Sequence, residues 1–314
     1  MTTRRQLLEI HNNNYGFMPQ TIAEPHEYPG VFSVIIPYYN TGHIFERCVH
    51  FLNNAVAMLP GRVEIIVVDD GSEKLPARAF IDPANQNIKL IEHEANQGRT
   101  AARNTGLAHA AGDLILFLDS DVLVDDRLLN HHLSIHQKAI SGKKKAIAIS
   151  FFEFTHKQDA RIEQDMLIES DIAINDFRID CTYGETWIGC EEDKKFIGQH
   201  MRIVEETNYL RDWKGQYKAW MLPNMILGGA FSVRKAEISA VGNFDTRFSG
   251  YGFTETSAVT RMIAERNNVV IPVLIGGALH IEDELTNVPR GKKDEIFKQK
   301  HDFYFNTFLQ EESK

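Results

Sequence analysis

The chain has 314 residues, 43% of them hydrophobic and 25% charged, the balance of an ordinary soluble globular protein able to bury a sizeable core. Its formal net charge of -9 argues against a nucleic-acid partner, which requires a basic face to meet phosphates. Two short basic runs, Lys143-Lys144-Lys145 and Arg290-Gly291-Lys292-Lys293, read as solvated surface, with peripheral membrane contact as the lesser expectation.

Cys48, Cys181 and Cys190 are too few and too irregularly spaced for a disulfide framework or a zinc site. Cys48 falls on the apolar side of a helical pattern and reads as a buried thiol, which points to a reducing compartment. Residues 1–14 are polar and do not resemble a signal peptide, and no apolar run approaches the length of a membrane span. The expected setting is cytoplasmic, with docking on a membrane surface left open.

In chain order, FSVIIPY (32–38) is an apolar run closed by Pro37 and reads as a buried strand. Apolar residues then recur at helical spacing from Ile44 to Leu59, up to Pro60-Gly61. VEIIVVDDGS (63–72) predicts a second buried strand ending in acid and a turn, and IKLIEHE (88–94) a third, weaker one. An alanine-rich helix follows through 98–112 and stops at Gly112, before the fourth strand, LILFL (114–118). Beyond it the pattern predicts a helix over 127–140, a strand over 145–154 and strand, turn and helix character over 225–245. A further apolar run from 268 ends at His280, and the tail (292–314) is an amphipathic helix. The intervening 155–222 is polar, aromatic and weakly periodic, with Trp187, Trp213 and Trp220.

Strands alternating with helices predict a mostly parallel sheet with helices on both faces, where ligands gather at the carboxyl ends of the strands. Three of the first four strands end there in polar groups: Tyr39-Asn40, Asp69-Asp70 and Asp119-Ser120-Asp121. Two carboxylates at i and i+2 past a buried strand suit Mg²⁺ or Mn²⁺, hard cations that take oxygen ligands and keep positions open for phosphates. His280 closes its own apolar run in the same way and is a candidate third ligand.

SVIIPYYN, VEIIVVDDGS, NQGRTAARNTGLAHAAGDLILFLDSDV and LGGAFSVRK occur in an order and spacing that resembles family 2 glycosyltransferases of the GT-A fold. The resemblance covers most of 32–126 and returns in pieces between 225 and 283. It implies an α/β, Rossmann-like sheet flanked by helices, with an appended acceptor-side region. On that reading 1–30 is an N-terminal extension and 31–126 the nucleotide-sugar-binding half. Residues 127–291 are then the acceptor-binding and catalytic half of the same domain, and 292–314 a C-terminal helix.

The resemblance further implies a nucleotide-diphosphate-sugar donor, with a UDP-sugar favoured, and metal-assisted transfer with inversion. Pro37, Tyr39 and Asn40 would line the nucleoside pocket, and Asp69 or Asp70 would read the base. Gly98 and Arg103 fall in the family's "G…ARN.G" stretch, where the arginine lies near the nucleotide, although a structural ion pair with a strand-end acid accounts for Arg103 equally well. Asp119, Ser120 and Asp121 would meet ribose and metal, Asp121 as the more direct ligand, with His280 as a further one.

An inverting transfer also needs a base on the face opposite the leaving group. The family's acidic pair corresponds here to GYGFTETSAVTRM (250–262), where aligning Arg261 places Thr254 on the first acid and Glu255 on the second. Glu255 is therefore the candidate base. Tyr251 and Phe253 would form an apolar wall, and Thr254 could instead merely cap a helix that Glu255 opens. The acceptor, whether glycan, lipid-linked intermediate, small molecule or peptide, is not legible, because 155–222 shows no match. Two rivals are a binding protein that holds a nucleotide sugar without turning it over, and a sugar nucleotidyltransferase. The second needs a glycine-rich basic loop after the first strand, which PYYNTGHIFE does not supply.

Overall fold

Strand order explains why the polar strand ends meet. The computed structural model describes residues 2–18, 27–59, 61–156, 158, 159, 162, 182, 183, 186, 187, 222–273, 277–282 and 290–313. The strands are β1 (Tyr28–Tyr38), β2 (Gly61–Asp69), β3 (Ile88–Glu92), β4 (Leu114–Leu118), β5 (Val122–Val124) and β6 (Ala146–Ser150). They continue with β7 (Glu153–His156), β8 (Thr182–Tyr183), β9 (Thr186–Trp187), β10 (Ala230–Arg234), β11 (Val269–Val273) and β12 (Ala278–Glu282). The helices are α1 (Arg4–Ile10), α2 (His43–Met58), α3 (Arg99–His109), α4 (Leu128–Ser141), α5 (Lys235–Ala240), α6 (Thr254–Arg266) and α7 (Arg290–Asn306).

The central seven-stranded sheet runs β11-β6-β10-β4-β1-β2-β3. All its pairs are parallel except those of β10, which lies antiparallel between β4 and β6. This is the mostly parallel α/β sheet expected. Alternation along β1 sends Phe32, Val34 and Ile36 to the face covered by α2, and Ile35 to the face covered by α3 and α6. Each such fully buried side chain contributes about 1.5–3 kcal/mol of transfer free energy, enough for both faces to be held without reference to the ligand.

Two expected strands are each two. The run 145–154 is β6 and β7, split at Phe151 and Phe152, and the run from 268 to His280 is β11 and β12. In both cases the second half leaves the central sheet for a three-stranded one of order β5-β12-β7. Asp125 ties that small sheet down: one carboxylate oxygen accepts from the Arg127 amide at 2.8 Å and the other from the Gly277 amide. Neither β5 nor α1 was expected. Helix α1 opens with a capping box between Thr3 and Gln6, and Arg4 ion-pairs with Glu265 (2.9 Å) and Glu311 (2.6 Å), joining both chain ends to α6. The tail is helical as expected, and Tyr304, Phe308 and Leu309 bury against Phe248.

Cys48 is fully buried, its thiol donates to the Val122 carbonyl at 3.0 Å, and burial pushes it far up from the ordinary thiol range. Cys181, Cys190, Trp213 and Trp220 lie outside the described residues. Among the described residues, no helix is long and apolar enough to cross a membrane.

Behind the sheet, α4 buries His131, His132 and His136. His132 spans Ser232 (2.7 Å) and Ser150 (2.8 Å), and His136 meets the same Ser232 at 2.8 Å. Burial first, and then the neighbouring imidazoles of His136 and His131, hold His132 well below the usual imidazole range, and burial pushes His136 down to about 4. Between that value and 6.5 the unfolded chain binds the proton that folded His136 refuses, so stability is lost as the pH falls through this window. Asp125 opposes this, because burial raises it to about 6 and the folded state takes up its proton first. We therefore expect His136→Gln to remove roughly 2–3 kcal/mol of the stability that the wild type loses between roughly pH 7.5 and 4.5. Urea unfolding at both pH values checks it, and an unchanged difference would show that the histidine pair is not the acid-sensitive element.

Candidate active site at the carboxyl ends of the sheet

At the ends of β1 and β2 the polar side chains are wired to backbone. Asn40, with φ 52°, donates its amide to the Ser72 hydroxyl at 2.9 Å and accepts from the Lys74 and Leu75 amides at 3.2 and 3.0 Å. Tyr38 donates its hydroxyl to the Leu75 carbonyl at 2.5 Å and accepts from the Gly42 amide at 3.0 Å. Asp69 accepts from the amides of Ser72 (2.9 Å) and Ala77 (2.8 Å). Asp70 accepts from Gln97 (2.9 Å) and Gly98 (2.7 Å) and pairs with His93 Nδ1 at 2.7 Å. Both carboxylates thus fix the loops at these strand ends, and any contact with a base would share an oxygen that already accepts. Pro37 is buried within β1, whereas Tyr39 is 47% exposed at its end. Gly98, with φ 93°, precedes α3, and the space where a side chain would start is open.

The end of β4 carries the charge. Asp119 accepts from Arg103 Nη2 at 2.8 Å, and Arg99 Nη1 lies 3.9 Å from its other oxygen. Burial raises its proton affinity, but Arg99 and Arg103 outweigh this and hold the carboxyl below its ordinary range. Ser120 shares a hydrogen bond with Thr41 at 2.7 Å, joining the ends of β4 and β1. Asp121 points to His280 Nε2 at 3.9 Å. Burial, reinforced by Asp119, raises Asp121 against the opposing pull of His280 and Arg99. Strand pairing makes this meeting: His280 lies opposite Val122 in the β12–β5 register, and the Ile281 amide donates to the Asp121 carbonyl at 2.9 Å.

Among the described residues no three His, Cys, Asp or Glu side chains form a ready-made metal cluster. Of the three expected ligands, Asp121 and His280 face each other with side chains 35% and 26% exposed, while one Asp119 oxygen is taken by Arg103. A carboxylate and an imidazole nitrogen, each without a closer cationic partner, are a donor set that fits Mn²⁺ or Mg²⁺ with phosphate oxygens completing the shell.

Glu255 enters from α6. The turn before it is forced: Gly250 and Gly252 have φ 99° and 90°, and Phe253 itself is left-handed at φ 62°. Phe253 occupies the cap position of α6 and is buried against Phe297 and Tyr304, so it is core rather than the expected wall; Tyr251 alone is exposed. Thr254 does not cap the helix. It is buried and donates to the Phe248 carbonyl at 2.9 Å, away from the strand ends. Glu255 instead ion-pairs through Oε1 with Arg103 Nη1.

The arrangement therefore joins Asp119, Asp121, His280 and Glu255 at one corner, with Arg103 between two of them. Tyr39, Asn40, Asp69, Asp70 and Gly98 shape the adjacent strand ends. Two contributors escaped the sequence reading. Arg99 follows Gly98 directly, but an exposed arginine at a helix start carries no distinguishing pattern. Gly228 lies in the quoted LGG, and its reason is steric: a Cβ there would stand 2.5 Å from Glu255 Oε1 and 2.6 Å from Arg103 Nη2.

Residues 33–183 match the family model described as Glycosyl transferase family 2. Among curated relatives, glycosyltransferase YfnE of Bacillus subtilis is 27% identical over 242 residues, 71% of this chain and 58% of its own length. Glycosyltransferase AglE of Haloferax volcanii is 32% identical over 127 residues, 40% of each chain. The chain thus spans about half the length of these relatives. Among solved structures, the mannosyltransferase PcManGT of Pyrobaculum calidifontis, in complex with GDP-Man and Mn²⁺, superposes with a TM-score of 0.53 at 17% identity, covering 86% of this chain and 62% of that one. GalNAc-T7 with UDP, GalNAc and Mn²⁺ gives a TM-score of 0.53 at 16% identity, covering 82% and 45%. The sheet order, the strand-end carboxylates and these likenesses agree: the chain has the GT-A fold, and its residues 33–183 carry the match to family 2 of the glycosyltransferases.

Proposed function

We propose that this chain moves a sugar from a nucleotide-diphosphate donor, most readily a UDP-sugar, to an acceptor hydroxyl with inversion, and that Glu255 is the base. The observation that carries the reading is the meeting of Glu255 with Asp119 at one buried arginine, beside the Asp121–His280 pair. Relatives named as glycosyltransferases, and fold neighbours holding GDP-Man or UDP with Mn²⁺, support it.

In this scheme Pro37, Tyr39 and Asn40 border the nucleoside, and Asp69 and Asp70 hold the loops that contact its base. Asp121 and His280, with Asp119 beside them, would hold Mn²⁺ or Mg²⁺, which would supply positive charge against that gathering on the departing diphosphate. Glu255 takes the acceptor's proton. Its Oε1 is committed to Arg103, which leaves Oε2 to accept. Glycan, lipid-linked intermediate, small molecule and peptide are all chemically compatible acceptors, since each presents a nucleophile to one carboxylate. The reading without turnover rests on Thr254 in place of an acid, and that residue serves packing instead.

Slow hydrolysis of a panel of UDP- and GDP-sugars with Mn²⁺ identifies the donor, since water can replace the acceptor. Glu255→Gln should lower that turnover by about 10²–10⁴-fold while UDP affinity in Mn²⁺ changes little. Retained turnover would remove Glu255 from the mechanism. Asp121→Ala should abolish the Mn²⁺-dependent part of UDP binding in a calorimetric titration, and binding that stays fully Mn²⁺-dependent would displace the metal site from this corner.

A further inference from the structure

The side chain of Arg103 is wholly enclosed, with no exposed surface through which to touch a donor. Its guanidinium instead reaches two carboxylates on different elements, Asp119 after β4 and Glu255 on α6. We infer that Arg103 is a positioning residue that sets the register of the base Glu255 against the donor-side carboxylate Asp119; this rests on the role proposed above for Glu255.

A guanidinium is rigid and planar, so its Nη1 and Nη2 hold two acceptors at a spacing that its own width dictates. Nη2 meets Asp119 Oδ1 at 2.8 Å, and Nη1 meets Glu255 Oε1. The group is walled on its other sides. The Phe244 ring lies 5.7 Å from the guanidinium carbon, and the Gly228 backbone approaches where no side chain would fit. Nη2 also lies 3.5 Å from the Gly228 carbonyl oxygen. An inverting base must lie on the far side of the sugar from the leaving group, and displacement by about 1 Å can cost roughly 10² in rate. Among the described residues, Arg99 stands 3.9 Å from Asp119 with a half-exposed side chain, whereas Arg103 is the side chain that ion-pairs with both Asp119 and Glu255. The arginine thus acts on the reaction through Glu255, and on the donor only through Asp119.

Arg103→Lys keeps the charge and loses the fork. The expected result is a fall of about 10² in kcat for hydrolysis of the donor found by the sugar panel, with UDP affinity in Mn²⁺ held within about threefold. Gly228→Ala should give the same split, because it forces the pair apart from the opposite side. An Arg103→Lys enzyme with unchanged kcat overturns the inference, and so does one whose UDP affinity drops more than about tenfold at full kcat, which would make Arg103 a nucleotide contact. Glu255→Gln separates the two claims: if it retains turnover the base assignment fails, whereas an inactive Glu255→Gln beside a fully active Arg103→Lys removes only the positioning role. Should Arg103→Lys not fold, Arg103→Met alone and combined with Glu255→Gln decide the matter by thermal melting. Recovery of about half or more of the lost stability in the double variant supports the pairing, and no recovery rejects it.

Discussion

A carboxylate at the end of a buried strand has to find a partner or keep its water, and Asp119 does the first through Arg103. The same guanidinium answers for Glu255, so one buried cation is shared by one acid from the sheet and one from a helix. An arginine shared in this way is costly to remove, because its loss leaves two carboxylates without their common cation in a water-poor site. Much of the surrounding architecture follows. Gly228 must lack a side chain to admit the pair, and Gly229 must lack one to admit the Phe152 ring beneath, so the turn into β10 is shaped by the groups above and below it.

Strands β1, β2 and β4 were legible because burial on both faces leaves nearly unbroken apolar runs such as IIVV at 65–68 and LILFL at 114–118. Their polar ends were legible for the same reason: a run of that kind stops abruptly where the chain reaches polar surroundings. What periodicity cannot register is a change of sheet. Phe151 and Phe152 continue the apolar run of β6 and are buried like it, yet there the chain leaves one sheet for the other. Helix α1 escaped because its short polar sequence is held by tertiary ion pairs of Arg4 with Glu265 and Glu311 rather than by an apolar face.

At the site, residue identities were legible and directions were not. Asp69 and Asp70 occupy the expected strand end, but their oxygens face inward to loop amides, a choice made by the turns at 72–77 and 96–98. Thr254 and Glu255 are neighbours in sequence, and a helix rotates adjacent residues by about 100°, so only one of them can face the strand ends. The left-handed Phe253 sets that phase. It turns Thr254 into the core and Glu255 toward Arg103, a conformational fact that composition does not reveal. For Arg103 the sequence left nucleotide contact and ion pair equal; the structure shows the ion pair, with the side chain completely buried.

The corner is assembled from parts with separate supports, and this division has a chemical consequence. Asp119 extends from the central sheet, His280 comes from the small sheet, and Glu255 from α6, so no one element carries two of these three roles. The Asp121–His280 meeting is fixed by backbone register, opposite Val122 in β5, with Asp125 clamping Gly277 at the entry to β12. The Asp119–Glu255 spacing is fixed instead by a side chain. Backbone pairing tolerates substitution at the flanking residues, while a spacing set by a guanidinium depends on that one group and on the empty space at Gly228. On the proposed scheme the leaving-group side of the chemistry is therefore the robust part of this fold, and the placement of Glu255 as its base is the part that one substitution can undo.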